Sequence, residues 1–339
     1  MWLDADTSYK EGMNNKQNVN IAILIPCFNE KETIGKVIKD FKQELPSAKI
    51  YVYDNNSTDG TDGIAEEAGA IVRYEYRQGK GNVIKSMFQE VNSDIYVLID
   101  GDDTYPVEKV KEMISLVINE RADMVIGDRL TNGAYRKGRV RRYHNWGNGI
   151  VKTTINYLFK SNIADVMTGY RVMNKRFVKN FPILSQGFEI ETEMTIHALD
   201  KKYRVREVQI DYRDRPVGST SKLNTIRDGI KVLITIISIF KDYRPLSFFG
   251  MISTILFFIG IGCGVPVVYE FAMDHYIRHI PLAILASAIE ILALLFLVCG
   301  FILDTIAKFE KRNYELQVLK YMTIQQERGE CDGRMEQVG

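Results

Sequence analysis

Short apolar runs alternate with helical patterns from Ile21 to about Tyr212. The runs, such as IAILIP and IYVLI, are rich in β-branched residues and continuously apolar, as in strands that are buried on both faces. Strand–helix alternation of this kind is typical of a mostly parallel sheet, whose loops meet at one ligand-binding edge. The predicted strands are Ile21–Pro26, Lys49–Tyr53, Ala70–Tyr74 and Ile95–Ile99, separated by predicted helices at Lys31–Leu45, Thr61–Ala68 and Lys80–Val91.

The chain becomes strongly apolar beyond Arg244. Leu246–Tyr269 contains no charged residue and Ile280–Leu303 contains only Glu290, and each stretch reaches the length of about 20 residues that crosses a bilayer as a helix. The turn between them carries a single basic residue of the Lys/Arg type, Arg278, whereas the outer flanks carry Lys231, Lys241, Arg244, Lys308, Lys311 and Arg312. The positive-inside rule therefore places both flanks, and the N-terminal domain, in the cytoplasm. The alternative is two buried helices of a soluble core.

Two further segments complete the predicted organisation. Thr225–Lys241 is amphipathic and predicts either a helix in the membrane interface or an ordinary core helix. Glu290 is expected to bond to the other span or to a neighbouring subunit, since a charge in a span is costly. The predicted division is a mobile leader at 1–19, an α/β domain at 20–224, an interfacial helix at 225–244, a transmembrane hairpin at 245–307 and a cytoplasmic tail at 308–339.

Composition narrows the function classes. The 44 basic and 43 acidic residues leave a net charge of +1, which argues against a protein that binds bulk nucleic acid. The cysteines at 27, 263, 299 and 331 include no CxxC pair, so structural thiols in a reducing compartment are expected.

The main candidate for chemistry is the acidic segment 100–103, DGDD, which follows a predicted strand. Carboxylates at a strand end suit Mg²⁺ or Mn²⁺, and Mg²⁺ is usually held by one or two carboxylates together with substrate phosphates. For this short motif alone, a solvated acidic turn is the alternative.

Polar segments also follow the first two strands, PCFNE at 26–30 and DNNSTDGT at 54–61. Their side chains can either cap the next helix or hydrogen-bond a base and a ribose. Gln78–Asn82 places a lysine between two glycines at the start of a helix, a pattern that favours phosphate binding. It matches neither a Walker A sequence nor the glycines of a dinucleotide fold.

In this order, LIPCFNE, VYDNNSTDGT and LIDGDDTYP resemble the nucleotide-sugar half of family 2 glycosyltransferases with the GT-A fold. DVMTGYRVM, GFEIETEM and YRDRPVGSTSKL, at 165–173, 187–194 and 212–223, are similar to dolichyl-phosphate mannose synthase and closer still to bacterial undecaprenyl-phosphate glycosyltransferases. The resemblance covers about residues 20–240, and the two spans fit the bacterial branch. It implies a Rossmann-like GT-A domain and a metal-dependent, inverting transfer of a sugar to a lipid phosphate.

The resemblance also implies roles for individual residues. The nucleotide-sugar site would contain Pro26, Asn29, Glu30, Asp54, Gly79, Lys80, Asp100 and Glu191. Asp102 would be the main ligand of Mg²⁺ or Mn²⁺, and Asp100 would bind the metal or the ribose. Some relatives have a further ligand, glutamine, where this chain has Thr104, so Thr104 or Asp103 is expected to replace it. Glu191 and Glu193 are both candidates for sugar hydroxyls, and capping or pairing on the helix is the alternative for one of the two.

Positive charge is expected where the acceptor binds. Arg129, Arg215 and Lys222 are assigned to phosphates of the acceptor or donor, because guanidinium groups match phosphate geometry. The basic stretch 136–142 binds the acceptor or simply faces anionic lipid. A lipid phosphate is an anion at neutral pH, so it can attack the anomeric carbon without a strong base, and catalysis rests on alignment and charge neutralisation. Asp165 matches a carboxylate suspected as the base in this branch; alternatively it orients the donor sugar or Arg171.

The leading hypothesis is transfer of a hexose or N-acetylhexosamine from a UDP-sugar to undecaprenyl phosphate, for modification of cell-envelope glycans. The alternatives are a GDP-mannose-dependent dolichyl- or polyprenyl-phosphate mannose synthase and a non-catalytic sugar- or lipid-binding scaffold. The expected partners are donor, acceptor and membrane lipid, with a homo-oligomer and a downstream flippase as further expectations and no nucleic acid.

Overall fold

The computed structural model describes residues 19–131, 141–187, 189–213, 234 and 237–335. For 141–148, and for 321–335 apart from Thr323, it describes the backbone only. The chain forms two compact units, residues 1–229 and 230–339.

The first unit alternates strands and helices, as the hydrophobic pattern predicts. Its strands are β1 Ile21–Cys27, β2 Lys49–Asp54, β3 Ile71–Tyr74, β4 Ile95–Leu98, β5 Met124–Asp128, β6 Arg171–Asn174 and β7 Val205–Gln209. Its helices are α1 Ile34–Glu44, α2 Thr61–Glu67, α3 Lys80–Glu90, α4 Val110–Ile118, α5 Arg141–Phe159, α6 Lys175–Lys179 and α7 Ile190–Asp200. Helix α1 begins three residues later than predicted, because residues 31–33 form a turn in which the Thr33 N–H donates to the Glu30 carbonyl at 3.1 Å.

Seven strands within the described residues form one sheet in the order β3-β2-β1-β4-β6-β5-β7. All neighbouring strands are parallel except at β6, which runs antiparallel to both β4 and β5. The predicted mostly parallel sheet is therefore confirmed, with one antiparallel insertion that the sequence pattern did not indicate. Arg171, the first residue of β6, pairs with Leu98 of β4 and Ile126 of β5. The loop before β6 consequently arrives at the edge where β4 and β5 end.

The centre of the sheet is buried on both faces. Residues 21–25 of β1 are at most 4% exposed and residues 95–98 of β4 at most 3%. Helix α1 covers the sheet with Ile34, Val37, Ile38 and Phe41, the i, i+3, i+4, i+7 spacing of one helix face. Each such side chain contributes about 1.5–3 kcal/mol on burial. This core holds the strand ends, and the loops after them, in fixed positions.

The second unit contains two long helices, α8 Pro245–Asp274 and α9 Ile280–Met335. By length and composition both can cross a membrane, with mean hydropathies of 2.2 and 2.7 over their most apolar windows. Only 11% of each window is buried, whereas a core helix of a soluble protein is mostly buried. Helix α9 continues well past Leu303, where the apolar stretch ends, through the region predicted as a tail. The predicted interfacial helix at 225–244 lies mainly outside the described residues.

Small residues let α8 and α9 approach each other, as is common between membrane helices. Ser253 Oγ donates to the Ala293 carbonyl at 2.7 Å. Glu290 packs against Gly260, where an added Cβ would lie 2.4 Å from the glutamate Oε1. Glu290 therefore turns towards the other helix, although its Oε1 has no hydrogen-bond partner within the described part of the chain.

Candidate active site

The loops after β1 and β2 hold each other in place. Asn29 adopts a left-handed backbone with φ 53°, which asparagine tolerates, and its N–H donates to Ser57 Oγ at 2.9 Å. Its side-chain oxygen accepts from the Thr58 N–H at 2.8 Å, and the Glu30 N–H donates to Thr61 Oγ1 at 2.9 Å. Asn29 and Glu30, both predicted at the nucleotide site, thus lie directly beside the second loop.

Asp54 ends β2 with a buried carboxylate. Its Oδ2 accepts from the Ser57 N–H at 2.9 Å, but its Oδ1 is buried without a hydrogen-bond partner among the described residues. An unpaired buried acceptor costs about 1–3 kcal/mol, so a ligand that donates a hydrogen bond there is favoured. The ring N–H of a nucleobase is such a donor.

Asn55 shapes the loop that leads into α3. Its Nδ2 donates to the carbonyls of Glu75 at 2.6 Å and Arg77 at 2.9 Å, and its Oδ1 accepts from the Gly79 N–H at 2.8 Å. Both ends of the carboxamide are therefore used within the chain. The described contacts of Asn55 thus brace the loop before α3 and do not cap the next helix, α2.

The turn that opens α3 differs from the phosphate-binding loop that its sequence indicates. The Gly81 N–H donates to the Gln186 carbonyl at 2.9 Å, and the Gly79 N–H is already bonded to Asn55. An added Cβ would meet the Gln186 carbonyl oxygen at 2.2 Å from Gly79, or the Ser185 carbonyl oxygen at 2.1 Å from Gly81. The glycines therefore allow two backbone segments to pack closely, and two amides that a phosphate would need are occupied.

Lys80, the first residue of α3, lies buried between two carboxylates. Its Nζ is 2.5 Å from Asp100 Oδ1 and 2.5 Å from Glu191 Oε1. Burial alone lowers the pKa of Lys80, but the two carboxylates outweigh burial and raise that pKa. Burial raises the pKa of Glu191, Lys80 opposes that rise, and the charge of Asp100 adds to it. Three residues predicted at the donor site, from three separate elements, therefore form one ionic cluster.

Asp102 is buried, and Thr104 holds its carboxylate. Asp102 Oδ1 accepts from Thr104 Oγ1 at 2.6 Å and from the Thr104 N–H at 3.2 Å. Asp103 instead pairs with Lys36, whose Nζ lies 2.7 Å from each of its oxygens, which disfavours Asp103 as a third metal ligand.

The donor set at this strand end fits a divalent cation. Asp100 and Asp102 supply hard oxygen ligands, as Mg²⁺ and Mn²⁺ prefer. Within the described part of the chain no group of three or more His, Cys, Asp or Glu residues could hold a metal ion. Two carboxylates are the number that usually holds Mg²⁺ when substrate phosphates supply further ligands.

Cys27 shows how closely the acidic residues converge. Its pKa is raised first by burial and then by the negative charges of Glu30, Asp54, Asp100 and Asp102. These groups lie at the end of, or just after, three different strands, β1, β2 and β4. The parallel arrangement thus brings the predicted donor-site residues to one edge of the sheet, and Cys27 itself is a buried thiol.

Arg129 follows β5 and forms a buried two-pronged ion pair with Asp165. Arg129 Nε lies 2.7 Å from Asp165 Oδ2, and Nη2 lies 3.3 Å from Oδ1. Arg129 Nη1 also donates to the Tyr105 hydroxyl at 3.3 Å, which accepts from the Gly169 N–H at 3.1 Å. The structure thus joins two residues to which the sequence assigned separate tasks. Tyr105 was missed, and its only sequence signal is its place just after DGDD.

Arg171, the alternative partner of Asp165, makes its hydrogen bonds elsewhere. It is fully buried, and its Nη2 donates to the carbonyls of Val166 and Glu191, each at 2.8 Å. Burial lowers its pKa to about 10. Arg171 therefore braces the loop before β6 and the start of α7, and the expectation that Asp165 orients it is replaced by the pair with Arg129.

Glu193 binds the loop before α7, a role that differs from the capping or pairing on its own helix that the sequence suggested for one of the two glutamates. Its carboxylate oxygens accept from the Leu184 N–H at 3.0 Å and the Ser185 N–H at 2.9 Å. Of the two candidate carboxylates on α7, Glu191 therefore lies in the cluster with Lys80 and Asp100, and Glu193 supports the neighbouring loop.

The remaining predicted residues fall at the border of this site or outside the described residues. Pro26 is the penultimate residue of β1 and pairs with Tyr53 of β2. Arg215, Lys222 and the basic residues at 136–140 lie outside the described residues, and only the backbone is described for 141–142.

The chain is similar in sequence to known glycosyltransferases. Residues 22–181 match the family model described as Glycosyl transferase family 2. Glycosyltransferase AglJ of Haloferax volcanii is 32% identical to this chain over 292 residues, covering 86% of this chain and 95% of that protein. Dolichyl-phosphate hexose transferase of the same organism is 28% identical to this chain over 225 residues, and the match covers 66% of this chain and 96% of that protein.

Solved structures share the fold. Glucosyl-3-phosphoglycerate synthase of Mycobacterium tuberculosis matches with a TM-score of 0.54 at 20% identity, over 70% of this chain and 85% of that one. Its complex with Mn²⁺, UDP and glucosyl-3-phosphoglycerate matches with a TM-score of 0.52 at 19% identity, over 70% and 86% of the two chains. At this identity the likeness establishes a GT-A-like α/β domain and nothing about substrate.

Proposed function

This chain belongs to glycosyl transferase family 2, and from that premise we propose that it transfers a hexose or N-acetylhexosamine from a UDP-sugar to undecaprenyl or another polyprenyl phosphate. The relatives named dolichyl-phosphate hexose transferase and polyprenol monophosphomannose synthase support a polyprenyl-phosphate acceptor. The observation that carries the proposal is the convergence of Asp54, Asp100 and Asp102 at one sheet edge, beside the buried pair of Lys80 and Glu191.

Each part of the donor has a matching group at this edge. The unpaired Oδ1 of Asp54 would accept a hydrogen bond from the nucleobase. Asp100 and Asp102 would hold Mg²⁺ or Mn²⁺, which when bound neutralises negative charge on a diphosphate leaving group. Glu191, held by Lys80, would bind sugar hydroxyls. The Mn²⁺ and UDP in the related fold of glucosyl-3-phosphoglycerate synthase are compatible with this arrangement.

The proposed reaction is a single displacement with inversion. An oxygen of the lipid phosphate forms a bond to the anomeric carbon, the bond from that carbon to the diphosphate oxygen breaks, and UDP leaves with the electron pair. The attacking oxygen is already anionic, so no proton has to be removed. We therefore assign the buried Asp165 to holding Arg129 in place rather than to general-base catalysis. Arg129, Arg215 and Lys222 are proposed to bind the acceptor phosphate.

The two apolar helices support an anchored enzyme. We propose that α8 and α9 cross the membrane, with the basic flanks and the N-terminal domain on the cytoplasmic side. A homo-oligomer and a downstream flippase are proposed on the sequence resemblance alone.

A GDP-mannose donor is the second candidate. Relatives named dolichol-phosphate mannosyltransferase, of Pyrococcus furiosus, and polyprenol monophosphomannose synthase, of Mycolicibacterium smegmatis, favour it. The Oδ1 of Asp54 can accept a hydrogen bond from the ring N–H of guanine as well as from that of uracil. The nucleotide sugar therefore has to be determined by assay.

The test is incubation of membranes containing the full chain with undecaprenyl phosphate, Mn²⁺ and labelled UDP-glucose, UDP-N-acetylglucosamine or GDP-mannose. We expect one donor to give a chloroform-soluble, acid-labile product that EDTA suppresses. Asp102→Asn should abolish the product, and Asp103→Asn is the matched control because Asp103 pairs with Lys36. No labelled lipid from any donor, or equal labelling by Asp102→Asn and wild type, would refute the proposal.

A further inference from the structure

Glu207 lies on β7, opposite Ile126 of β5 in the parallel pair. Its carboxylate bonds to backbone N–H groups of the loop before β6. Oε1 accepts from the Ala164 N–H at 2.8 Å and the Asp165 N–H at 3.1 Å, and Oε2 lies 3.0 Å from the same Ala164 nitrogen. One side chain therefore holds two consecutive peptide units on a different segment.

This is an unfavourable place for a carboxylate. Burial raises the pKa of Glu207, the two amide hydrogen bonds oppose that rise, and the nearby carboxylates of Asp128 and Asp165 add to it. The carboxylate of Glu207 is the third negative charge in this place, after Asp128 and Asp165, and like charges close together are destabilising. The bonds to the two amides make the position tenable.

The two amides belong to the residue that holds Arg129 and to its predecessor. Asp165 is bound at its carboxylate by Arg129, which directly follows β5, and at its backbone by Glu207 of the adjacent β7. Two neighbouring strands thus fix both ends of one residue. Without Glu207, the Asp165 backbone would be free to shift, and the direction of the Arg129 guanidinium would shift with it.

We propose that Glu207 is a positioning residue for sugar transfer, which acts through Asp165 on Arg129. This inference rests on the proposed function of the site. The hydrogen bonds described for Glu207 go to Ala164 and Asp165 and not to a predicted donor-site residue, so Glu207 affects the alignment of the reacting phosphate more than the binding of the nucleotide. Misplacement of a reacting group by about 1 Å can lower a rate about 10²-fold.

The experiment compares Glu207→Ala, Glu207→Gln and Gln209→Ala in the full chain in membranes. Gln209 is exposed on the same strand and controls for a general effect of altering β7. We expect Glu207→Ala to lower kcat about 30–100-fold while the KM for the donor changes by less than about 3-fold. Glu207→Gln keeps a side-chain oxygen that accepts both amides, so it should stay within about 5-fold of wild type.

A double-mutant cycle separates positioning from a merely structural role. If Glu207 acts through Asp165, adding Glu207→Ala to Asp165→Asn should cost less than about 3-fold further in kcat, because effects within one chain of contacts are not additive. Full multiplication of the two losses, or an equal loss in Glu207→Ala and Gln209→Ala, would overturn the inference.

Hydrogen exchange tests the contact without relying on catalysis. In the purified full chain, Glu207→Ala should speed amide exchange in a peptide covering residues 163–167, and Gln209→Ala should not. Unchanged exchange in Glu207→Ala refutes the positioning role even if sugar transfer is observed. Faster exchange in a chain that makes no lipid-linked sugar would instead support the contact and reject the proposed function.

Discussion

Lys80 is the one cation that bonds to the buried carboxylate of Glu191 within the described part of the chain. Replacing Lys80 with methionine removes that cation. Methionine keeps much of the length and apolar stem of lysine, so the change isolates the charge. The lysine side chain is 9% exposed, and its partners Glu191 and Asp100 are 5% and 25% exposed. The variant therefore leaves two neighbouring negative charges, one of them almost fully buried, without their counter-ion.

The size of the effect follows from that burial. Removing one partner of a buried ion pair costs about 3–5 kcal/mol. For a domain of this size each kcal/mol lowers Tm by about 2–4 °C, so we expect Tm to fall by about 6–20 °C. The exposed pair of Lys109 and Glu112, 2.8 Å apart, is the matched control, and Lys109→Met should cost less than about 1 kcal/mol.

The pH dependence has a definite sign. The pKa of Glu191 is already raised by burial, and Lys80 is a cause that lowers it, so the pKa must rise further in Lys80→Met. A carboxyl whose pKa is raised on folding stabilises the folded state below its unfolded pKa, near 4.3, and this stabilisation is lost as pH rises through the folded value. The difference in Tm between wild type and variant should therefore be larger at pH 8 than at pH 5.

Calorimetry of the full chain in detergent micelles at both pH values measures these differences. Two results would refute this reasoning: a Tm of Lys80→Met within 1 °C of wild type, or the same Tm difference between the two proteins at pH 5 and pH 8. Either would show that Lys80 does not offset the charges of buried carboxylates.

Two further predictions concern backbone packing and the metal loop. Gly81→Ala should lower the free energy of unfolding by about 1–3 kcal/mol, because the new Cβ would lie 2.1 Å from the Ser185 carbonyl oxygen. Gly63 lies on α2, where an added Cβ would have no neighbouring atom within 4 Å, so Gly63→Ala should raise the free energy of unfolding by about 0.5–1 kcal/mol. Urea titrations measure both changes, and a change of the same sign in the two variants would contradict the prediction. Thr104→Val should weaken Mn²⁺ binding in the presence of UDP about 10-fold or more, because the hydroxyl that orients Asp102 is lost. Thr104→Ser should retain that affinity, and equal Kd values by Mn²⁺ paramagnetic resonance for the two variants would show that the hydroxyl has no such role.

The acidic part of the candidate donor site could be predicted from the sequence because Asp54 ends a strand and Asp100 and Asp102 lie just after one. In a parallel sheet the carboxyl ends of β1, β2 and β4 meet at one edge, so local motifs and the strand pattern together predict that Asp54, Asp100 and Asp102 are neighbours. The partner of each side chain could not be read in this way. Lys80 meets Glu191, more than a hundred residues later, because of how α3 and α7 pack.

The sequence by itself determined the order of strands and helices as far as β4, the acidic strand end and the two apolar stretches. Each of these is a local property, set by the period of apolar residues or by a run of neighbouring side chains. Only the tertiary structure decided that β6 runs antiparallel between β4 and β5, which carries Asp165 to Arg129 and within reach of Glu207. It also decided that Gly79 and Gly81 pack closely against the backbone of Gln186 and Ser185. These outcomes depend on contacts between segments distant in sequence, which no local pattern records.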